Sequence, residues 1–164
     1  MSESGPIARI ELRPIGPADE ELVLHIYAST REEELAGVDW SAEQREAFLR
    51  MQFNAQHTYY QEHYPDTSFD VVLVDGVPAG RLYVARWAEE LRVVDVALLP
   101  PYRGAGVGRR LMEAVLAEAE AAGKPVRIHV EVYNPARHLY ERLGFRPVED
   151  RGVYLMMERA PGLR

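Results

Sequence analysis

The stretch Arg103-Gly104-Ala105-Gly106-Val107-Gly108 places three glycines in five positions, between the apolar run Val93 to Leu99 and an amphipathic segment from Arg109 to Ala121. Glycine lets a backbone pass close to a ligand. A helix that starts here leaves its first N–H groups unpaired, which suits an anion such as a phosphate. A nucleoside-triphosphate loop needs Gly-x-x-x-x-Gly-Lys-Ser/Thr, but Arg109-Arg110 follows and no Ser or Thr is near. A dinucleotide fingerprint needs Gly-x-Gly-x-x-Gly, whereas the spacing here is Gly104-x-Gly106-x-Gly108. The pattern that remains is Arg-x-x-Gly-x-Gly on Arg103, Gly106 and Gly108, preceded by Leu-Leu-Pro-Pro-Tyr.

A second constellation lies downstream: Val132-Tyr133-Asn134-Pro135-Ala136-Arg137-His138-Leu139-Tyr140-Glu141-Arg142-Leu143-Gly144-Phe145. It reads as a strand end, an Asn, a short helix carrying a Tyr, then Gly-Phe. Together the two segments resemble the acyl-CoA motifs of the GNAT superfamily of N-acetyltransferases, over residues 69 to 158. The resemblance implies a GNAT-like α/β fold and acetyl-CoA as acyl donor. It assigns the pyrophosphate to the backbone of Gly104, Ala105, Gly106, Val107, Gly108 and Arg109, with Arg103 adding charge or bracing the loop. It sets the pantetheine against Val96, Ala97, Leu98 and Leu99, a backbone N–H between Val96 and Leu98 polarising the thioester carbonyl. Asn134 and Arg137 join the donor site. Asn134 either hydrogen-bonds the pantetheine or a bridging water, or caps the helix at Pro135, and the two roles are compatible.

Acetyl transfer to an amine needs a polarised carbonyl, a neutral amine, a proton for the leaving thiolate and alignment of the reactants. Tyr140 is the candidate proton donor, since an unperturbed phenol titrates near about 10, close to a simple thiol. Its structural alternative is packing against Phe145. Asp95 stands between Val94 and Val96 in a very apolar strand and is the candidate base or amine anchor. Glu89 and Glu90 are rivals by resemblance. Glu131 and His129 share one face of the next strand and would meet a substrate between splayed strands.

Gln52, Gln56, Tyr59 and His63 follow helical spacing, with Tyr60 and Tyr64 nearby. They either line an acceptor pocket, with Gln56 and Tyr60 touching the substrate, or pack on the sheet. His57 and His63 lack the spacing and the carboxylate partner of a metal site, so no metal is expected.

The elements that must position these groups are legible in outline. Ile7 to Pro14 alternates as a half-buried strand, and Asp19 can cap a helix to about Ala36. Ser41 with Gln44 is a capping box for a second helix to His63, which Pro65 stops. Asp75-Gly76 marks a hairpin between strands Phe69 to Val74 and Pro78 to Trp87. A strand over Leu91 to Leu99 leads into the glycine loop and a helix to Ala122, ended by Gly123 and Pro125. A strand over Val126 to Tyr133, a helix over Pro135 to Leu143 and a hairpin of Phe145 to Glu149 with Val153 to Glu158 complete the order βααβββαβαββ. This is a mixed, twisted α/β sheet of about six to seven strands with helices on both faces, in one domain spanning 1–164. Residues 7–65 supply an acceptor-side strand and two helices, and 69–158 the acyl-CoA core.

Composition narrows the class. The chain has 164 residues, 47% hydrophobic and 27% charged, in the range of an ordinary globular protein. The absence of cysteine excludes disulfides, thiolate metal ligands and an acetyl-cysteine intermediate, so transfer is expected to be direct, in a ternary complex. No apolar run approaches the roughly 20 residues of a membrane span and no signal-peptide pattern is present, so a cytoplasmic location and no membrane partner are expected. A net charge of −7 argues against nucleic acid and is compatible with a cationic acceptor. The expected partner is a small-molecule amine or a peptide amine. A homodimer is implied by resemblance alone. Other readings of the same residues are an acyl-CoA-sensing module without catalysis and a transferase of longer acyl groups.

Overall fold

A computed structural model describes residues 8–162. Of the ends expected to be loose, Met1–Pro6 and Ala160–Arg164, the first lies outside the described residues together with Ile7, and so do the last two residues of the second. The described elements are β1 (Ile10–Pro14), α1 (Glu20–Thr30), α2 (Glu32–Leu35), α3 (Ala42–His63), β2 (Thr67–Val74), β3 (Val77–Arg86), β4 (Leu91–Leu98), α4 (Val107–Ala122), β5 (Val126–Glu131), α5 (Ala136–Arg142), β6 (Arg146–Asp150) and β7 (Tyr154–Arg159). They form one seven-stranded sheet in the order β1-β2-β3-β4-β5-β7-β6, antiparallel except for the β4–β5 pair. The mixed α/β architecture is the one expected.

Local chemistry explains most boundaries. Ser41 accepts from the Gln44 N–H while the Gln44 side chain accepts from the Ser41 N–H, closing the capping box of α3. Asp75 and Gly76 both have positive φ, 51° and 81°, as a type I′ hairpin turn requires. Gly123 closes α4 in the left-handed conformation at φ 68°.

The first helix departs from expectation. Instead of running from Asp19 to Ala36 it breaks at Arg31. Just before the break, the Ser29 and Thr30 hydroxyls donate to the carbonyls of Ile26 and Tyr27 and compete with the helical ladder. Asp19 does not cap α1 through its side chain. Its carboxylate accepts from the Gly16 N–H and from the Arg13 guanidinium, closing a 3-10 turn before the helix.

Helices cover both faces. Leu111, Met112, Val115 and Leu116 of α4, with Tyr140 of α5, pack on Val72, Leu82, Val84, Val93 and Ile128. On the opposite face α1 and α3 join through Tyr27 and Phe53. They meet the sheet where His57 touches Phe69 and Tyr60 touches Tyr83. No helix among the described residues is long and apolar enough to cross a membrane.

Two irregularities shape the middle of the sheet. Tyr83 faces Asp95 but Val84 faces Val93, so Val94 is an extra residue, a β-bulge in β4. Unbroken alternation from Leu91 and Val93 would drive Asp95 into the apolar core under α4. The bulge shifts the phase, so Val96 and Leu98 pack on that core while Asp95 joins Tyr83 on the α1/α3 side. The parallel β4–β5 pairing runs only from Leu91 to Val93, after which the strands part.

Candidate active site

The parting strands open a cleft of about 510 Å³, lined on one side by Tyr59, Tyr60 and Tyr64 of α3 and its end, and floored by Val93 to Val96. Its other wall is Ile128 to Glu131, Asn134 and Tyr140, with Arg151 and Tyr154 from the last hairpin.

The loop fits an anionic group. Gly104 and Gly106 sit in the left-handed region at φ 71° and 86°, and a Cβ on either would meet nothing within 4 Å. Gly106 is the N-cap of α4 without a side-chain cap, and no acidic residue occupies the first turn. The first helical donor is the Arg110 N–H, bonded to the Gly106 carbonyl, so the amides before it remain available to a ligand. Arg103 serves as a brace: its Nε donates to the Leu98 carbonyl at 2.9 Å and its Nη2 to the Ser29 carbonyl at 3.3 Å. Arg109 pairs with Glu113 one turn on.

The four backbone candidates of β4 are not equivalent. The Leu99 N–H is bonded to the Ala79 carbonyl on β3. Because successive residues of a strand direct their amides to opposite edges, Ala97 also turns toward β3 while Val96 and Leu98 face the gap. Of these residues, Val96 and Leu98 are the ones whose N–H groups are turned to the gap.

Tyr140 is only 5% exposed, packs 5.8 Å from Phe145 and lines the cleft. Burial, and then the Asp95 carboxylate, push its phenol up to about 12. It stays protonated throughout the physiological range. Asn134 Oδ1 accepts from the Ala136 N–H at 2.9 Å at the start of α5, and the residue lines the cleft. Arg137 is directed elsewhere, its Nη1 donating to the Val132 carbonyl at 3.0 Å and its Nη2 reaching Glu141. Its side chain ties α5 to the preceding loop.

Asp95 is not an isolated carboxylate. Its Oδ2 accepts from Arg81 Nη2 at 2.8 Å and from the Tyr60 hydroxyl at 2.9 Å, and Arg81 Nη2 also donates to Gln56 Oε1 at 3.1 Å. A carboxylate held this way is a poor match to the expected role of a base ready to take the amine proton. Burial first, then Asp95, push the Tyr60 phenol far up, so it too remains protonated. Gln56 and Tyr60 thus join Asp95 in one polar cluster. Gln52 and His63 stay outside it, and His63 instead stacks on Tyr59 with ring centroids 4.2 Å apart.

Among the other acids, Glu90 is buried between Arg92 and Arg127 at 2.8 and 3.1 Å, a structural pair, while Glu89 is exposed in its turn. Glu131 and His129 both reach the cleft, as their shared face predicts. Burial, then Arg92 and Arg151, push the His129 imidazole down, so it is neutral at pH 7. No group of three or more His, Cys, Asp or Glu side chains among the described residues is placed to hold a metal ion.

Sequence reasoning missed Arg81, Arg151 and Tyr154. Arg81 carried a signal, a lone charge inside the apolar run from Val77 to Val84. Arg151 and Tyr154 carried none, because β7 inserts between β5 and β6 only in the folded sheet.

Residues 30–145 match the acetyltransferase (GNAT) family. The chain belongs to that family. A stretch of 67 residues is 33% identical to the bS18-alanine N-acetyltransferase of Haemophilus influenzae, covering 40% of this chain and 46% of that protein. Another of 85 residues is 38% identical to the streptothricin acetyltransferase of Streptomyces lavendulae, covering 48% of this chain and 43% of that protein. The matched stretches thus span less than half the length of either relative.

The GNAT fold extends over the whole described chain. The PaiA N-acetyltransferase of Thermoplasma acidophilum, solved in complex with coenzyme A, superposes with a TM-score of 0.70 at 20% identity, covering 93% of this chain and 99% of that one. The ribosomal-protein-S18-alanine N-acetyltransferase of Escherichia coli gives 0.65 at 18% identity, covering 95% and 96%.

Proposed function

We propose that this GNAT protein transfers an acetyl group from acetyl-CoA directly to a primary amine in a ternary complex. The observation that carries this reading is the cleft between β4 and β5, which gathers Tyr140 and Asn134 on one wall and Tyr60 with Asp95 on the other. The glycine loop at the head of α4 follows β4 after one 3-10 turn, Pro100–Tyr102. Its free amides suit the pyrophosphate of the donor, and Val96 and Leu98 offer the strand edge along which a pantetheine arm can pair.

The neutral amine attacks the thioester carbonyl, so a C–N bond forms and the C–S bond breaks. A β4 amide in the gap stabilises the negative charge that develops on the carbonyl oxygen. Tyr140 supplies a proton or a strong hydrogen bond to the departing sulfur. With a phenol near 12 the hydrogen bond is the larger part of that role. The proton shed by the acylated nitrogen returns to the open cleft, where solvent restores Tyr140. Asp95 acts as the acceptor-side anion that orders Tyr60, and Gln56, Tyr60 and Glu131 contact the acceptor. Of the two curated relatives, one is a bS18-alanine N-acetyltransferase and the other a streptothricin acetyltransferase, which supports acetyl transfer without choosing an acceptor.

The test is acetyl-CoA binding followed by thiol release across a panel of amines, including a peptide with N-terminal alanine. Binding with turnover of one amine supports the reading. Binding without turnover of any amine favours an acyl-CoA-sensing module. Preference for succinyl- over acetyl-CoA reassigns the donor.

A further inference from the structure

Arg81 has a chemical environment that packing alone does not account for. It is 2% exposed, in a strand whose neighbours Ala79, Leu82, Tyr83, Val84 and Ala85 are all buried. Its guanidinium lies between the rings of Tyr27 and Tyr83, 5.7 and 5.1 Å from their centroids. Only Nη2 is in use, shared between Asp95 and Gln56, while Nε and Nη1 are buried with no hydrogen-bond partner among the described residues. A buried ion pair satisfied at one nitrogen is a weak stabiliser compared with an apolar side chain of similar volume. What the pair does fix is direction.

Arg81 faces Ala97 across the β3–β4 ladder and Tyr83 faces Asp95, so Arg81 and Asp95 are diagonal neighbours on one face of the sheet. Asp95, whose side chain is 14% exposed, is held by the guanidinium with Oδ2 toward α3, where the Tyr60 hydroxyl meets it. A phenol has one proton to donate and lone pairs with which to accept. With its proton committed to Asp95, Tyr60 offers only lone pairs to whatever enters the cleft.

We propose that Arg81 is a positioning residue for the acceptor side of the reaction: it clamps Asp95, which commits the Tyr60 proton and leaves the Tyr60 oxygen to accept an N–H from the incoming amine. This deepens the acetyltransferase reading and rests on it. The amine is held by a neutral acceptor with its nitrogen lone pair turned away from Tyr60, and Arg81 never touches it. Gln56, on the same guanidinium nitrogen, keeps that nitrogen from swinging between partners.

Two measurements test the clamp. The first needs no acceptor: the tyrosine 13Cζ signal of Tyr60 at neutral pH, assigned with Tyr60→Phe, reports the hydrogen bond of its hydroxyl. Arg81→Met is expected to displace it in the same direction as Asp95→Asn. A Tyr60 signal unmoved in Arg81→Met overturns the proposal.

The second is a double-mutant cycle on amine turnover. Tyr60→Phe and Arg81→Met should each lower kcat/KM for the amine by about 10-fold to 100-fold, with acetyl-CoA affinity unchanged. The double variant should be no more than about 2-fold worse than either single one, because the second change removes an orientation already lost. Arg81→Lys, which keeps the charge but not the fork, should recover part of the loss. Losses that multiply, or a fall in acetyl-CoA affinity as large as the fall in amine turnover, overturn the proposal. Failure of the wild type to bind acetyl-CoA overturns the acetyltransferase reading instead, and leaves the clamp to be judged on the Tyr60 signal.

Discussion

At the scale of single residues, Tyr140 carries the sharpest expectations. Tyr140→Phe should lower kcat by about 100-fold or more while acetyl-CoA binding stays at the wild-type level, measured by thiol release and thermal shift. Because burial and Asp95 hold the phenol at about 12, no alkaline loss of kcat below about pH 11 should trace to it. An alkaline break near pH 9 that vanishes in the Phe variant would mean that Tyr140 is far more acidic in the working complex. The same shift has a stability consequence. The unfolded phenol ionises near about 10 and the folded one near about 12, so the unfolded state sheds its proton first and stability falls as pH rises through that window. The loss is about 3 kcal/mol at most, and denaturant titrations at pH 9 and pH 12 should show it shrinking in Tyr140→Phe. Tyr140 and Asn134 were legible because they sit in a contiguous motif. Arg81 was not, because its meaning depends on Asp95 in the next strand, and a one-dimensional pattern does not say which charges face each other.

At the scale of elements, two glycines do different work. Gly106 ends the loop in the left-handed conformation at the head of α4, so Gly106→Ala should cost about 1 kcal/mol and lower Tm by about 2 to 4 °C. Under the proposed function its larger effect should be on acetyl-CoA affinity, since the space a methyl group enters is open in the protein and lies where the donor would pass. A Gly106→Ala variant with wild-type acetyl-CoA affinity would show that the loop does not approach the donor. Gly80 has an ordinary φ, yet a Cβ there would run into the Ala97 carbonyl and press on Leu98. Gly80→Ala should therefore force β3 and β4 apart, destabilise by about 1 to 3 kcal/mol and weaken donor binding, because the displaced residues continue directly from the cleft floor at Val93 to Val96. Melting curves for the two variants separate backbone strain from strand separation. The bulge at Val94 is the element-scale feature that sequence alternation misreads: the apolar run is continuous, and nothing in it shows where the phase of the strand slips.

At the scale of the whole molecule, the site exists because the sheet divides. One face is sealed by α4 and α5 and the other by α1 and α3, and the cleft opens where β4 leaves β5. A donor that enters this gap bridges both halves and should stabilise the entire fold. At 100 times its dissociation constant, acetyl-CoA should add about 2.7 kcal/mol and raise Tm by about 5 to 10 °C. CoA should act similarly and NADPH should not, because the loop lacks the spacing for a dinucleotide. A rise with NADPH alone would remove the basis for the CoA reading.

The sequence by itself determined the family resemblance, the element order apart from the break of the first helix at Arg31, the hairpin at Asp75-Gly76, the caps at Ser41 and Gly123 and the glycine loop. All of these are properties of neighbouring residues, set by backbone conformation and by the side chains a few positions away. The tertiary structure alone decided that Asp95 is paired with Arg81 rather than free, that Arg103 and Arg137 brace backbone, that Val96 and Leu98 but not Leu99 face the gap, and that Arg151 and Tyr154 reach the cleft. The placements of Asp95, Val96, Leu98, Arg151 and Tyr154 depend on which strand lies beside which and in what phase, and that of Arg103 on α1 lying beside the loop. Strand pairing joins residues far apart in the chain, and a single extra residue in β4 reverses which face its side chains occupy.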